Sequence, residues 1–395
     1  SPGPGPTSSR DKAGGISPAA LFLTSKRLVA AVGHMTLHPL KIMISYWQVV
    51  AQMGNVLHFQ FPEALDALIR RMKWLVTGIQ GMVATECIPG FHGYYRSWIL
   101  EVVVVPVLLL GAVLLYYLSR RATVGPAAAL ETARNEAFFI IFICYPSITN
   151  KVFAVINCRK LVESSSVLAS DYSTVCGDDM HQLFVVIAYA MMCAFSVGVP
   201  ALLMIAMVKT RASERVLFSS PEWNTIIQRM AAMLEEDDVD SVRSAVIDIN
   251  QGKIYGNLIS AYKPGSFLWE GIDMIRKLAI IGMLSLVSPG STFQICVGIL
   301  TGFLFFAGHV AIRPYRHWED NVFKATTELH LFFMMVLVIA LKTDLASENA
   351  FSADFYDRTV FVLWMILVPG AFICCVWSKL RSVVEDDIAE HHTKP

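Results

Sequence analysis

The sequence predicts an all-α membrane protein: a polytopic transmembrane helical bundle of about eight spans, with a surface amphipathic helix and a helical cytosolic segment. Three observations carry this. Of 395 residues, 55% are hydrophobic, and the mean hydropathy is +0.52. Only 16% are charged, against about 25% in a soluble domain. The apolar residues gather into runs that approach the ~20 helical residues a bilayer core of roughly 30 Å requires.

The chain opens SPGPGPTSSRDKAGG, a Pro/Gly/Ser stretch that reads, over 1–35, as a flexible linker from a longer chain. No signal-peptide pattern precedes the first apolar run. Residues 41–59 form a first span with Gln48 and Gln52 one turn apart. Residues 62–82 are amphipathic: Leu65, Leu68, Ile69, Met72 and Leu75 form a stripe, with Arg70, Arg71 and Lys73 off it. That pattern suits a helix lying on the membrane surface or packed on neighbouring protein. Residues 98–118 are the cleanest span, interrupted by Pro106 and ended by Arg120 and Arg121.

The next span, 137–157, is expected to break at Pro146 to Asn150. A polar loop from Cys158 to His181 leads to 183–208, where Gly198, Val199 and Pro200 predict a kink. Residues 209–267 are the one sizeable polar insertion. Within it, Ser220 and Pro221 predict a helix start, with Ser at the N-cap and Pro at N1. Spans at 269–287, 293–312, 324–341 and 360–377 complete the bundle (36–382), and 383–395 form a polar tail. Lys and Arg concentrate in alternate loops, which places both termini in the cytosol of an integral, multi-pass protein; its expected location is the plasma membrane.

Cys144, Cys193, Cys296, Cys374 and Cys375 fall inside spans as small apolar packing residues, with palmitoylation the alternative for Cys374 and Cys375. Cys87, Cys158 and Cys176 fall on the outer side, where disulfides persist. Cys158–Cys176, closing one short loop, is the favoured disulfide pair; the partner of Cys87 is left open.

The informative feature is charge where a span should have none. The uncharged run Leu278 to Val287 is too short to cross a bilayer before Ser288, Pro289 and Gly290 break it. The helix must therefore draw in Trp269 to Lys277. Glu270, Asp273 and Lys277 then share one face, flanked by Arg276. The same reasoning draws Glu328 and His330 into the span at 324–341, and His309 lies near the end of the span between. By the alternation of spans all seven lie at the cytosolic depth. Three readings stay open: a structural network with snorkelling cations, a hydrated vestibule or switch on an ion path, and proton-coupled transport.

No phosphate-binding loop, dinucleotide fingerprint, zinc-protease motif or nucleophile elbow occurs, so no enzyme activity and no cofactor is expected. Glu235 to Asp240 is acidic but lacks the Gly and terminal Glu of an EF-hand, so no metal site is expected there. The formal net charge is zero, which gives no electrostatic case for nucleic acid.

Several short stretches, taken in order, resemble the polytopic C-terminal region of large surface proteins of algae, oomycetes and related protists, a region similar to transient receptor potential channels. They are KIMISYWQ at 41–48, Tyr145 to Ser147, Asp171 to Cys176, and Tyr262 with Trp269, Glu270, Arg276 and Lys277. Pro289 to Ser291, Gln294, and Arg313 to Tyr315 with Asp320 and Asn321 continue it. The resemblance covers roughly 40–380 and implies a repeat-rich ectodomain before the first residue. It also implies a TRP-like cation channel, stimulus- or force-gated, partnered by the lipid bilayer and ions, with room for a homo-oligomer. The turn between 287 and 293 is too short for a selectivity filter, and the outer loop 343–358, with Asp344, Glu348, Asp354 and Asp357, is the acidic candidate for a cation entrance. On this reading Glu270, Asp273, Arg276, Lys277, His309, Glu328 and His330 are gating or vestibule charges. The alternative is a non-conducting receptor or tether that anchors an ectodomain, with 209–267 binding a cytosolic partner.

Overall fold

A computed structural model describes residues 38–54, 56–57, 66–67, 93–162, 165–234, 238–255, 259, 261–343 and 366–381. The linker 1–35, nearly all of the amphipathic segment 62–82, Cys87, the acidic loop 344–358 and the tail 383–395 lie outside these residues.

The chain is mostly helical, with one small sheet. Among the described residues five helices are long and apolar enough to cross a membrane: α2 (Tyr94–Val124), α3 (Pro126–Ala154), α4 (Asp179–Phe218), α8 (Thr292–Ile312) and α9 (Trp318–Lys342). Three further helices pack with them. α1 covers 38–54 and 56–57, and α10 covers 366–381. α7 begins at Trp269–Lys277 and ends at Leu284–Leu286. Charges crowd the first half of α7, which is why it is not among the five apolar helices.

Among the described residues three helices contain a wide π-helical turn. Two answer a proline problem. Proline gives no N–H to the carbonyl four residues back, and a wider turn absorbs the mismatch. Leu100–Val104 precedes Pro106, and Met192–Val197 precedes Pro200. The kink expected at Gly198 to Pro200 therefore takes the form of a π turn. The third turn, Leu278–Met283, lies in α7 without a proline. The break expected at Pro146 does not occur: α3 runs through it with Tyr145 to Thr149 all buried. Tyr145 donates its hydroxyl to the Ser196 carbonyl at 2.6 Å, which ties this segment to the π turn of α4.

The loop from Cys158 to His181 is not simply polar coil. It folds as an antiparallel sheet, β1 (Cys158–Val162), β2 (Ser165–Leu168) and β3 (Asp171–Val175), in sequence order. Its Val, Ser and Thr content suits short strands, and Asp171 organises the second turn. Its carboxylate accepts from Ser173 N–H (3.0 Å), Ser173 Oγ (2.7 Å) and Thr174 Oγ1 (2.7 Å). Cys158 and Cys176 form the expected disulfide, with Cα atoms 6.4 Å apart. His181 buttresses it: Gly177 N–H donates to its Nδ1 at 3.2 Å, and its Nε2–H donates to the Val155 carbonyl at 3.1 Å.

The polar insertion holds α5 (Pro221–Met233) and α6 (Val239–Tyr255). Ser220 stands at the N-cap as expected, but its side chain makes no capping bond. Ile227, Ala231, Val242 and Ile247 pack with Phe218 at the foot of α4.

Contacts at both ends fix relative directions. α1 and α7 start together at Lys41 and Glu270, 2.7 Å apart. At their other ends the Gln294 amide donates to the carbonyls of Val56 (2.7 Å) and Leu284 (2.9 Å). Asn150 donates to Gln52 at 2.6 Å, so α3 runs with α1. α9 joins the same set, because Lys324 near its start meets Asp273 and Lys342 at its end reaches Gly290 O. α8 and α10 run the other way; Lys379, late in α10, pairs with Asp320, early in α9, at 2.6 Å. The main apolar core lies among α1, α7, α8 and α9, around Tyr46, Val50, Met53, Ile281, Ile295, Phe323 and Met335.

Candidate functional site: a buried charge network

One end of α1, α7 and α9 is held together by charge. The i, i+3, i+4 spacing on α7 turns Glu270, Asp273 and Lys277 toward α1 and α9. Asp273 is the hub. It accepts from Arg276 Nε at 3.0 Å, Lys324 Nζ at 2.8 Å and Ser45 Oγ at 3.1 Å, with Lys277 Nζ at 3.6 Å. Glu328 takes the other side, 3.3 Å from Arg276 Nη1 and 2.8 Å from Lys324, its i−4 neighbour. Glu270 accepts from Lys41 at 2.7 Å and from the Tyr262 hydroxyl at 2.9 Å.

Four cations (Lys41, Arg276, Lys277, Lys324) thus face three anions (Glu270, Asp273, Glu328). The extra positive charge has other company. Lys277, fully buried at 0% exposure, donates to Gln48 Oε1 at 3.3 Å and sits 3.9 Å from the centre of the Phe142 ring. Gln48 in turn donates to the Ile143 carbonyl at 3.0 Å. Removing each ion from water costs several kcal/mol, so such a cluster persists only with nearly complete pairing.

All seven residues singled out as gating or vestibule charges are buried at this end of the bundle. Glu270, Asp273, Arg276, Lys277 and Glu328 belong to the network itself. The two histidines do not. His330 hydrogen-bonds the Tyr46 hydroxyl at 2.8 Å through Nδ1. His309 donates Nε2–H to the Asn321 carbonyl at 3.1 Å and packs between Trp269 and Tyr315. Lys41, Ser45, Gln48, Tyr262 and Lys324 complete the network and were not picked out as site residues. A signal existed for two of them: Lys41 and Lys324 are the first residues of predicted spans.

A cleft of about 10 Å³ opens beside the network, lined by Trp269, Asp273, Arg276, His309, Lys324 and Glu328 among others. That is room for about one water. Away from it, Cys158, Cys176 and His181 bring possible metal-ligand atoms within 4.8 Å of one another, but the disulfide occupies both sulfurs.

Searches with the whole chain find no matching family model, curated protein or solved structure.

Proposed function

We propose that this chain is the membrane-embedded part of an ion-channel-like protein at the C-terminal end of a larger surface protein. The buried charge network would be the latch of its shut state. The observation that carries the reading is that seven ionisable side chains from three distant stretches meet at one level of the bundle. A passive anchor needs none of them. Apolar residues of similar volume pack as well or better, and buried ion pairs are best attested as devices for register or switching. Ionisable groups within membrane helices mark functional sites by default. The Lys/Arg distribution puts this level at the cytosolic side of about eight spans, with both termini inside. The parallel course of α1, α3, α7 and α9, and the reverse course of α8 and α10, agree with that alternation.

The test is electrical. Glu270→Gln and Glu328→Gln should alter currents while the protein still reaches the cell surface. Wild-type currents from both variants would end this reading.

A second reading is a non-conducting receptor or tether, favoured by how little space the cleft leaves. Here the network would hold the bundle permanently, and the α5–α6 pair would bind a cytosolic partner. Absence of ion flux in liposomes, with capture of a partner through 209–267, would favour it over the channel.

A further inference from the structure

The segment leading into α7 and the turn between α8 and α9 form a two-stranded clasp. Tyr262 and Tyr315 pair across it in antiparallel register. Lys263 N–H donates to Pro314 O at 2.8 Å, Arg316 N–H to Ala261 O at 2.9 Å, and Arg316 Nε to Tyr262 O at 2.8 Å. In extended chain, neighbours point to opposite faces. The two tyrosines face inward, with ring centres 4.9 Å apart, and Lys263 and Arg316 are exposed. Arg313 is exposed beside them. It ends α8 in the left-handed region, at φ 49, and its Nε donates to Val310 O at 3.3 Å.

This surface carries three cations and no acid in 261–268 or 313–318. No salt bridge joins Lys263, Arg313 or Arg316 to an acid among the described residues. It also borders exposed apolar surface: Ile312 is 54%, Trp318 65% and Val322 52% exposed. A cluster of backbone-braced cations next to an apolar belt with a Trp is the chemistry of a membrane interface.

We propose that the outward face of this clasp, with Lys263, Arg313 and Arg316, is a docking surface for lipid headgroups carrying several phosphates. The membrane location rests on the orientation given above, in which this end of the bundle meets the cytosolic leaflet. Binding itself can be measured without that orientation.

The experiment titrates the full-length protein, purified in detergent, with dioctanoyl phosphatidylinositol 4,5-bisphosphate and, separately, with inositol 1,4,5-trisphosphate. The lipid should bind at least tenfold more tightly, and its affinity should fall with added salt. Each cation removed should cost about fivefold, so Lys263→Gln/Arg313→Gln should weaken binding about 25-fold. Lys263→Arg/Arg313→Lys should keep it, which controls for folding. No binding by the wild type, or equal binding by the Gln pair, overturns the proposal. Equal affinity for the free inositol phosphate overturns the lipid assignment. Failure of the orientation shows separately: Lys263→Cys would then react with an impermeant maleimide added outside intact cells, whatever the detergent titration gives.

Discussion

Asp273 accepts a hydrogen bond from Ser45, a residue 228 positions earlier in the chain, across 3.1 Å. The same carboxylate meets Arg276, Lys324 and Lys277. Neutralising it would leave Arg276 and Lys324 to share Glu328 and would take from Lys277 its ion-pair partner. Asp273→Asn should therefore destabilise the protein by about 3–5 kcal/mol, the usual result of breaking a buried pair from one side. Ser45→Ala removes the hydrogen bond to Asp273 and a longer one from Arg276 Nη2 at 3.5 Å, and should cost about 1.5–3 kcal/mol. Denaturant unfolding of the detergent-solubilised protein gives both numbers, and an equal loss in the two would mean Asp273 is not the hub.

Tyr262 connects the clasp to the network, because its hydroxyl donates to Glu270 at 2.9 Å. The only other hydrogen bond to that carboxylate among the described residues comes from Lys41. Tyr262→Phe keeps the ring contact with Tyr315 and deletes the donor. Stability should drop by about 1.5–3 kcal/mol. In a Lys41→Met background the two losses should exceed their sum, since Glu270 would then have neither partner.

Much of this site was legible in the sequence, for a simple reason. A helix too short without its charged end has to submerge that end, and helical spacing says which side chains share a face. Glu270, Asp273, Arg276 and Lys277 follow from the ten-residue uncharged run behind them, and Glu328 from the late start of its own run. The partners were harder to find. Ser45 and Gln48 are ordinary polar residues in a span, and nothing local says that α1 lies beside α7. Lys41 and Lys324 stand at span edges, where a lysine usually snorkels to water. The histidines drew attention by type, yet each bonds outside the network, His330 to the Tyr46 hydroxyl and His309 through Nε2 to the Asn321 carbonyl. The sheet was missed because its strands are short and rich in Ser, which reads as loop.

Two glycines allow close helix contacts of different kinds. A Cβ on Gly282 would lie 2.8 Å from the Phe153 ring, whereas the three atoms nearest to one on Gly271 all belong to the Met204 side chain. A methionine chain can swing away; a packed ring cannot. Gly282→Ala should cost about 1–3 kcal/mol and Gly271→Ala clearly less, as midpoint shifts in thermal unfolding would report.

The hairpin between α3 and α4 should respond to both reductant and acid. The Cys158–Cys176 bond spans 18 positions, and replacing both cysteines by Ser should cost about 3 kcal/mol. Partial burial would raise the Asp171 carboxyl, but bonds from Thr174 and Ser173 outweigh this and hold it below its ordinary value. A depressed folded value means the carboxylate adds stability above the unfolded pKa of about 3.9. That stability is lost as pH falls through the folded value. Pepsin cleavage within 158–176 should therefore accelerate on acidification in the wild type relative to Asp171→Asn. Parallel pH profiles would count against the turn.

Arg276 and Glu328, 52 positions apart in sequence and 3.3 Å apart inside the bundle, should depend on each other as an ion pair. A double-mutant cycle in a phospholipid nanodisc measures this directly. Glu328→Gln alone should lower stability, though not enough to keep the protein from the cell surface, and adding Arg276→Gln should restore part of the loss, with a coupling of about 1–3 kcal/mol. Strictly additive losses would contradict the account.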